Sequence, residues 1–229
     1  ELPIALLTSR WELPGTEQLA DQLLRNVTKP MDREGRLVQV GAFVGIAASD
    51  PADGQIPDLL RRADIALDRA KSTRSARPVW FDEGMERALI AHSELEQGIR
   101  YGLEHGQFLP YFEPQVELLT GKIIGFEVLA RWDHPLSGMI APDRFIPVAE
   151  EHGLIGRLSE QIMLEAMIAA AGWDPSIKLS VNISPTQLAD SWLAQRIVRL
   201  LTEAGFPADR LTVEITESSL FSDLDLART

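Results

Sequence analysis

Residues 107–229 contain segments with two kinds of hydrophobic periodicity. Four segments with period-two alternation predict strands, and three segments with a helical period predict helices between them. The predicted strands cover residues 108–118, 122–132, 178–184 and 210–217, and the predicted helices cover residues 142–152, 157–172 and 191–204. Repeated strand and helix units indicate an α/β fold, either a βα barrel or an open parallel sheet. The chain contains four predicted strands in this range, which is half of the eight that close a (β/α)8 barrel.

Residues 1–82 show a second alternation of strand-like and helical patterns. Strands are predicted at residues 4–8, 37–47 and 79–81, and helices at residues 18–26 and 58–71. This pattern indicates a separate layered α/β sheet domain. Leucines and isoleucines at helical spacing, with charges between them, predict an amphipathic connecting helix over residues 83–106. We therefore expect three parts, which cover residues 1–82, 83–106 and 107–229.

The charge and composition of the chain exclude several classes of function. A net charge of −12 opposes binding to polymeric nucleic acid or to an anionic membrane, so an anionic ligand must be held by local cations or a metal. The absence of cysteine excludes disulfides, thiolate zinc sites and cysteine nucleophiles. The four histidines, at positions 92, 105, 134 and 152, are too scattered along the sequence to predict a histidine metal cluster.

The expected location of this segment is the cytoplasm, because a reducing compartment agrees with a cysteine-free chain. No apolar stretch approaches the roughly 20 residues that span a bilayer, so we expect no membrane contact by this segment. Upstream domains could still anchor a longer protein.

The side chains of three predicted strands separate into an apolar face and a polar face. Because side chains alternate along a strand, residues of one parity share a face. The polar parity includes Glu127 and Arg131 in one strand, Asn182 in the next and Glu214 in the last. In a βα barrel these residues would point inward at the rim where such enzymes keep their active sites. Two carboxylates and an amide oxygen are hard ligands that suit Mg²⁺ or Mn²⁺.

Arg131 shares the parity of Glu127 but lies four residues further along the strand. That separation is about 13 Å in an ideal strand, which leaves the guanidinium group available for a phosphate. An antiparallel sheet with one solvated face would produce the same alternation. Parity by itself therefore leaves the metal-site and solvated-face interpretations open.

Five motifs in a fixed order strengthen the metal-site interpretation. They are YFEP at residues 111–114, GFEVLARWDHP at 125–135, FIPVAEEHGLI at 145–155, VNIS at 181–184 and EITES at 214–218. In sequence and order these motifs resemble the EAL domain family. The resemblance implies part of an EAL-type (β/α)8 TIM-like barrel, in a family that hydrolyses cyclic-di-GMP to linear pGpG with two divalent metals.

The resemblance also implies roles for individual residues. Glu127, Asn182 and Glu214 match metal ligands for Mg²⁺ or Mn²⁺, with Glu127 also catalytic. Arg131 matches a contact to the substrate phosphate, and Glu217 matches a residue that supports a neighbouring active-site loop. The expected ligand is therefore cyclic-di-GMP.

Three departures from the family pattern change the expectations. Val128 replaces the signature alanine, but its parity is the apolar one, so we expect little effect on the chemistry. Glu113 replaces a substrate-contacting glutamine and should point inward with Glu127, where it would repel phosphate or bind metal. The family's later aspartate pair, lysine and glutamate would lie beyond Thr229, so the 229-residue chain is expected not to turn over substrate. Its open strand edges at residues 108–118 and 210–217 favour association, such as a homodimer.

Residues 1–82 resemble the C-terminal part of a degenerate GGDEF domain. Residues 62–71 (RADIALDRAK) match a helix near the end of that family, and residues 40–47 match the strand before it. The signature loop would precede Ile4, where the chain has only Glu1-Leu2-Pro3, so we expect no cyclase activity. Lys71 and Arg77 are candidate phosphate contacts, although two cations at a helix end are more commonly solvated.

The sequence leaves two functions open, in addition to a purely structural interaction module. The first is a metal-dependent cyclic-di-GMP phosphodiesterase, which the metal-ligand pattern favours. The alternative is an inactive receptor that binds cyclic-di-GMP and signals through the helix at residues 83–106, which Glu113 leaves open.

Overall fold

The computed structural model describes residues 13–48 and 56–215, and the chain divides into two compact units, Glu1–Ala91 and His92–Thr229. The division falls within a single helix, Glu83–Glu104, which the sequence predicts as a connector. The predicted strand at residues 4–8 and the predicted site residue Glu217 lie outside the described residues.

The first unit combines helices with short paired strands. Its elements are helix α1 (Leu13–Val27), strands β1 (Met31–Arg33), β2 (Arg36–Val38) and β3 (Gly45–Ile46), helix α2 (Ile56–Ser72), strand β4 (Val79–Trp80) and the start of helix α3 (Glu83–Glu104). Strands β1 and β2 form an antiparallel hairpin, whereas β3 and β4 pair in parallel across α2. Gly45 is required where β3 meets α2, because a Cβ there would lie 2.2 Å from the backbone nitrogen of Leu67.

The continuous strand predicted at residues 37–47 is wrong in one respect. Its first part belongs to β2 and pairs with β1, whereas its last part forms β3 and pairs with β4. Alternation of apolar and polar residues indicates an extended backbone but does not specify its partner, so it did not reveal the break.

The second unit is built on one sheet with helices packed against its apolar face. Its remaining elements are β5 (Phe108–Val116), β6 (Ile123–His134), β7 (Gly138–Ile140), α4 (Pro142–Glu151), α5 (Ile155–Ala170), β8 (Lys178–Ile183), α6 (Pro185–Leu188), α7 (Leu193–Ala204) and β9 (Leu211–Ile215). The strand order is β5-β6-β8-β9, and β7 pairs with the end of β6. The predicted α/β class is confirmed for this unit.

The direction of strand pairing decides between the two interpretations of the alternation. Strands β6, β8 and β9 are parallel, with helices in each crossover, whereas β5 forms an antiparallel hairpin with β6. A wholly antiparallel sheet with one solvated face is therefore excluded for this unit. Among the described residues, β5 and β9 are the two ends of the sheet order, and homodimer formation through these edges stays a prediction.

The predicted apolar face forms the core of the second unit. Val128 and Trp132 of β6 are buried with Leu179, Val181 and Ile183 of β8. Helix α5 covers them with a run of small and flexible apolar side chains, Met163, Ala166, Met167 and Ala170. Trp132 packs with Phe108 and Phe145, and its indole Nε1 donates a 3.0 Å hydrogen bond to Gln107. This core fixes the orientation of β6. The side chains of the opposite parity therefore point away from the helices.

Within the ranges described above, no helix is long and apolar enough to cross a membrane.

Candidate functional site

The predicted site residues of β5, β6, β8 and β9 share one face of the sheet. In the strand register Glu113 lies opposite Glu127, and Asn182 lies opposite Glu214. Glu127 itself pairs with Ser180, which has the same parity as Asn182. Residues opposite each other on paired strands lie on the same side of the sheet, with neighbouring strands about 4.8 Å apart. The fold therefore brings these four polar side chains onto one surface, on the side of the sheet away from the core.

Glu127 and Asn182 are in direct contact. The amide Nδ2 of Asn182 donates a hydrogen bond to Glu127 Oε1 at 2.7 Å. This contact joins residues on adjacent parallel strands, and it uses a donor of the amide while leaving its oxygen as a ligand atom. The two side chains are therefore adjacent, as two ligands of one Mg²⁺ ion must be.

Arg131 lies on the same face as Glu127 and is held by an aromatic ring. Its guanidinium carbon lies 5.7 Å from the ring centroid of Tyr111, and its Nη1 donates to the carbonyl oxygen of Ala130 at 2.9 Å. Tyr111 belongs to β5, two residues from Glu113, and it pairs with Leu129. Stacking over a ring restricts the guanidinium while leaving its in-plane donors for an anion. Tyr111 was not among the predicted site residues, although its parity matches that of Glu113.

The loop after β8 is anchored by a carboxylate from helix α4. Ser184 Oγ donates a 2.5 Å hydrogen bond to Glu150 Oε1 and also caps the short helix α6. Ser184 lies two residues after Asn182, so Glu150 is a positioning residue for the end of the strand that carries Asn182. Glu150 was likewise missed as an individual residue, because a contact between distant segments has no signal in local spacing.

A second group of ligand-type side chains lies elsewhere in the same unit. Within the part of the chain that the structure describes, His92, Glu151 and His152 form a group that could hold a metal ion, with one ligand atom from each lying within 4.8 Å of the others. The prediction that the histidines are too scattered to form a cluster is wrong for two of the four. Packing of α3 near the end of α4 brings together residues that are far apart in sequence.

The chain is similar to proteins of cyclic-di-GMP metabolism. The EAL domain family profile matches residues 96–228. The cyclic di-GMP phosphodiesterase PA2567 of Pseudomonas aeruginosa is 33% identical over 95% of this chain and 38% of its own length. The bifunctional diguanylate cyclase/cyclic di-GMP phosphodiesterase MucR of the same organism is 30% identical over 96% of this chain and 33% of its own length.

A solved structure shares the fold of the second unit. The PaMucR phosphodiesterase in complex with c-di-GMP is 32% identical and superposes with a TM-score of 0.54 over 58% of this chain and 55% of that chain. These curated relatives are longer proteins, and this chain spans about a third of the length of each of the two named above.

Proposed function

The chain belongs to the EAL domain family, and from that membership we propose that the protein hydrolyses cyclic-di-GMP to linear pGpG. The observation that carries this proposal is the 2.7 Å contact between Glu127 and Asn182 on a face shared with Glu113, Glu214 and Arg131. The names of the two phosphodiesterase relatives and the bound ligand of the similar structure support the substrate.

We propose that Glu127, Asn182 and Glu214 hold Mg²⁺ or Mn²⁺. The fit is supported by the oxygen-rich donor set and by the hydrogen bond that places the Glu127 and Asn182 side chains side by side. A bound ion would stabilise charge on the phosphoryl oxygens and lower the pKa of a bound water. The residues themselves would keep that ion at one edge of the sheet, with β8 supplying the ligand between β6 and β9.

Arg131 is proposed to bind a substrate phosphate. The net charge of −12 means that an anionic dinucleotide must be held by local cations or a metal, and Arg131 is a cation on this face that packs on Tyr111. The guanidinium fork can donate two parallel hydrogen bonds to phosphate oxygens. Tyr111 is proposed to orient that fork and to limit the number of conformations that binding must restrict.

The proposal is tested by following pGpG release from cyclic-di-GMP by the full-length protein with Mg²⁺ or Mn²⁺. Binding of cyclic-di-GMP is measured in parallel with a chelator present. Release of pGpG that stops on addition of chelator is the expected result. Tight binding without pGpG release with either metal would instead support the receptor.

The position of Glu113 favours the second candidate function, an inactive receptor that binds cyclic-di-GMP. It places a carboxylate directly opposite Glu127 on the antiparallel neighbour strand. Like charges in this position are mutually unfavourable and also repel an approaching phosphate.

Replacing Glu113 with glutamine is expected to tighten cyclic-di-GMP binding in chelator by about fivefold. A single like charge near a phosphate at the protein surface is worth about 1 kcal/mol, and 1.4 kcal/mol corresponds to tenfold in affinity. Isothermal titration calorimetry of the native protein and the E113Q variant measures the difference. Glu203→Gln, an identical change on an exposed position of α7, is the matched control. Loss of Mn²⁺ affinity in E113Q would show that Glu113 binds metal and does not repel phosphate.

We further propose that residues 1–82 derive from the C-terminal part of a GGDEF-type domain, followed by a connector at residues 83–106 and the EAL part at residues 107–229. The support is the parallel pairing of β3 and β4 across α2, together with the alignment of MucR over almost the whole chain. A crystal structure of the full-length protein in which the first unit has an unrelated topology would contradict this.

A further inference from the structure

Two histidines and a glutamate form a compact cluster where helix α3 passes the end of helix α4. His92 Nε2 lies 3.1 Å from Glu151 Oε2, and the rings of His92 and His152 have centroids 5.5 Å apart. One ligand atom from each of the three side chains lies within 4.8 Å of the others. In a tetrahedral zinc site with bonds of about 2.0–2.1 Å, ligand atoms are separated by about 3.3 Å. The side chains of His92 and Glu151 are 39% and 65% exposed, so they have room to move towards an ion.

One ring nitrogen of His152 provides a second observation beside the clustering. The Nε2 atom is buried, and it has no hydrogen-bond partner among the described residues. A buried polar atom without a partner costs free energy, and metal coordination is one way to satisfy an imidazole nitrogen. Coordination of a metal ion would therefore satisfy a nitrogen that the described side chains leave without a partner.

The other nitrogen of His152 faces a carboxylate. Nδ1 lies 3.5 Å from Glu96 Oε1, and Glu96 is one helical turn after His92 on α3. Arg100 donates a 2.9 Å hydrogen bond to the same Glu96 oxygen, which holds this carboxylate in place. Metal-binding histidines commonly place their second nitrogen beside a carboxylate, which orients the ring and raises its basicity.

The position of the cluster at a helix end also favours a cation. Glu151 is the last residue of α4, and His152 is its C-cap. Unpaired carbonyl groups give the C-terminus of a helix a partial negative charge that attracts cations. The three ligands thus lie in a negative electrostatic potential that favours a divalent metal ion.

We propose that His92, Glu151 and His152 form a binding site for Zn²⁺ or a similar transition metal, which joins α3 to the end of α4. Two imidazoles and one carboxylate are ligands typical of zinc, unlike the all-oxygen set at Glu127. Three protein ligands leave a fourth position for water. The site is separate from the proposed phosphodiesterase site and does not depend on its activity.

The test titrates the protein with Zn²⁺, and separately with Co²⁺, in an excess of Mg²⁺ that occupies oxygen-only sites. We expect one bound Zn²⁺ and the absorption bands of tetrahedral Co²⁺. His92→Ala and His152→Gln should each weaken Zn²⁺ binding by at least about 100-fold, because even outer-shell changes cost 10–100-fold. His105→Ala is the control, because His105 follows the same helix but lies outside the cluster.

A second measurement keeps the test independent of variant folding. Zn²⁺ should raise the melting temperature of the unaltered protein, because a ligand that binds only the folded state stabilises it. Absence of Zn²⁺ binding in excess Mg²⁺ would overturn the proposal. Binding by the His92→Ala/His152→Gln double variant at the native affinity, with a native circular dichroism spectrum, would overturn it as well.

Discussion

Glutamine in place of Glu127 is expected to reduce cyclic-di-GMP hydrolysis by the full-length protein by more than about 100-fold, since changes to outer-shell residues alone cost 10–100-fold. The change removes the charge of a proposed metal ligand but keeps the shape of the side chain. Its amide oxygen can still accept the hydrogen bond that Asn182 donates to Oε1 in the native protein. We therefore expect the fold to survive while metal affinity and turnover are lost. Initial rates of pGpG release with Mn²⁺, together with Mn²⁺ titration, measure both effects.

Val128→Ala is the matched control for this prediction, because it changes the adjacent residue on the opposite face. Val128 is only 4% exposed, so its truncation should cost about 1–2.5 kcal/mol of stability while leaving the catalytic face unchanged. The sequence led us to expect little effect of this change on the chemistry, and the buried position adds a stability cost. Native turnover in E127Q, or equal loss of turnover in both variants, would contradict the proposed role of Glu127.

Trp132→Ala is expected to destabilise the second unit by about 3–5 kcal/mol, the usual cost of removing a large aromatic side chain from a core. Trp132 is 1% exposed and packs against Phe108 and Phe145. A Cβ at Gly98 of α3 would approach its ring to 2.9 Å, so the helix backbone packs closely against it. Truncation would leave a cavity at this contact and remove the donor that satisfies Gln107.

Urea unfolding of the native protein and the W132A variant tests this prediction, with circular dichroism and hydrogen exchange to assign the transition to the second unit. A fall of roughly 10 °C in melting temperature should accompany the loss of stability, since 1 kcal/mol corresponds to about 2–4 °C in a domain of this size. Leu118→Ala is the control, because Leu118 is 95% exposed. An unchanged midpoint for W132A would show that this tryptophan does not form the centre of the core.

The sequence by itself determined most of the extended and helical segments of the second unit, although not β7 and α6, and it determined which side of β6 and β8 faces the core. Val128 and Val181 are buried, as their parity predicts, while Glu127 and Glu214 lie on the other face. These properties are local, because the backbone geometry of an extended residue sets the alternation of its side chains whatever its partner is. The same local origin explains why the site residues could be proposed before the strands were paired.

Only the tertiary structure decided which residues meet. The register that places Glu113 opposite Glu127, and the break between β2 and β3, depend on partners that alternation does not encode. The contact of Arg131 with Tyr111 depends on the register of the β5–β6 hairpin, which alternation does not encode. His92 and His152 lie too far apart for any spacing rule, and packing between helices brings them together. Proximity of distant residues results from the sum of many packing contacts, so no short stretch of sequence contains it.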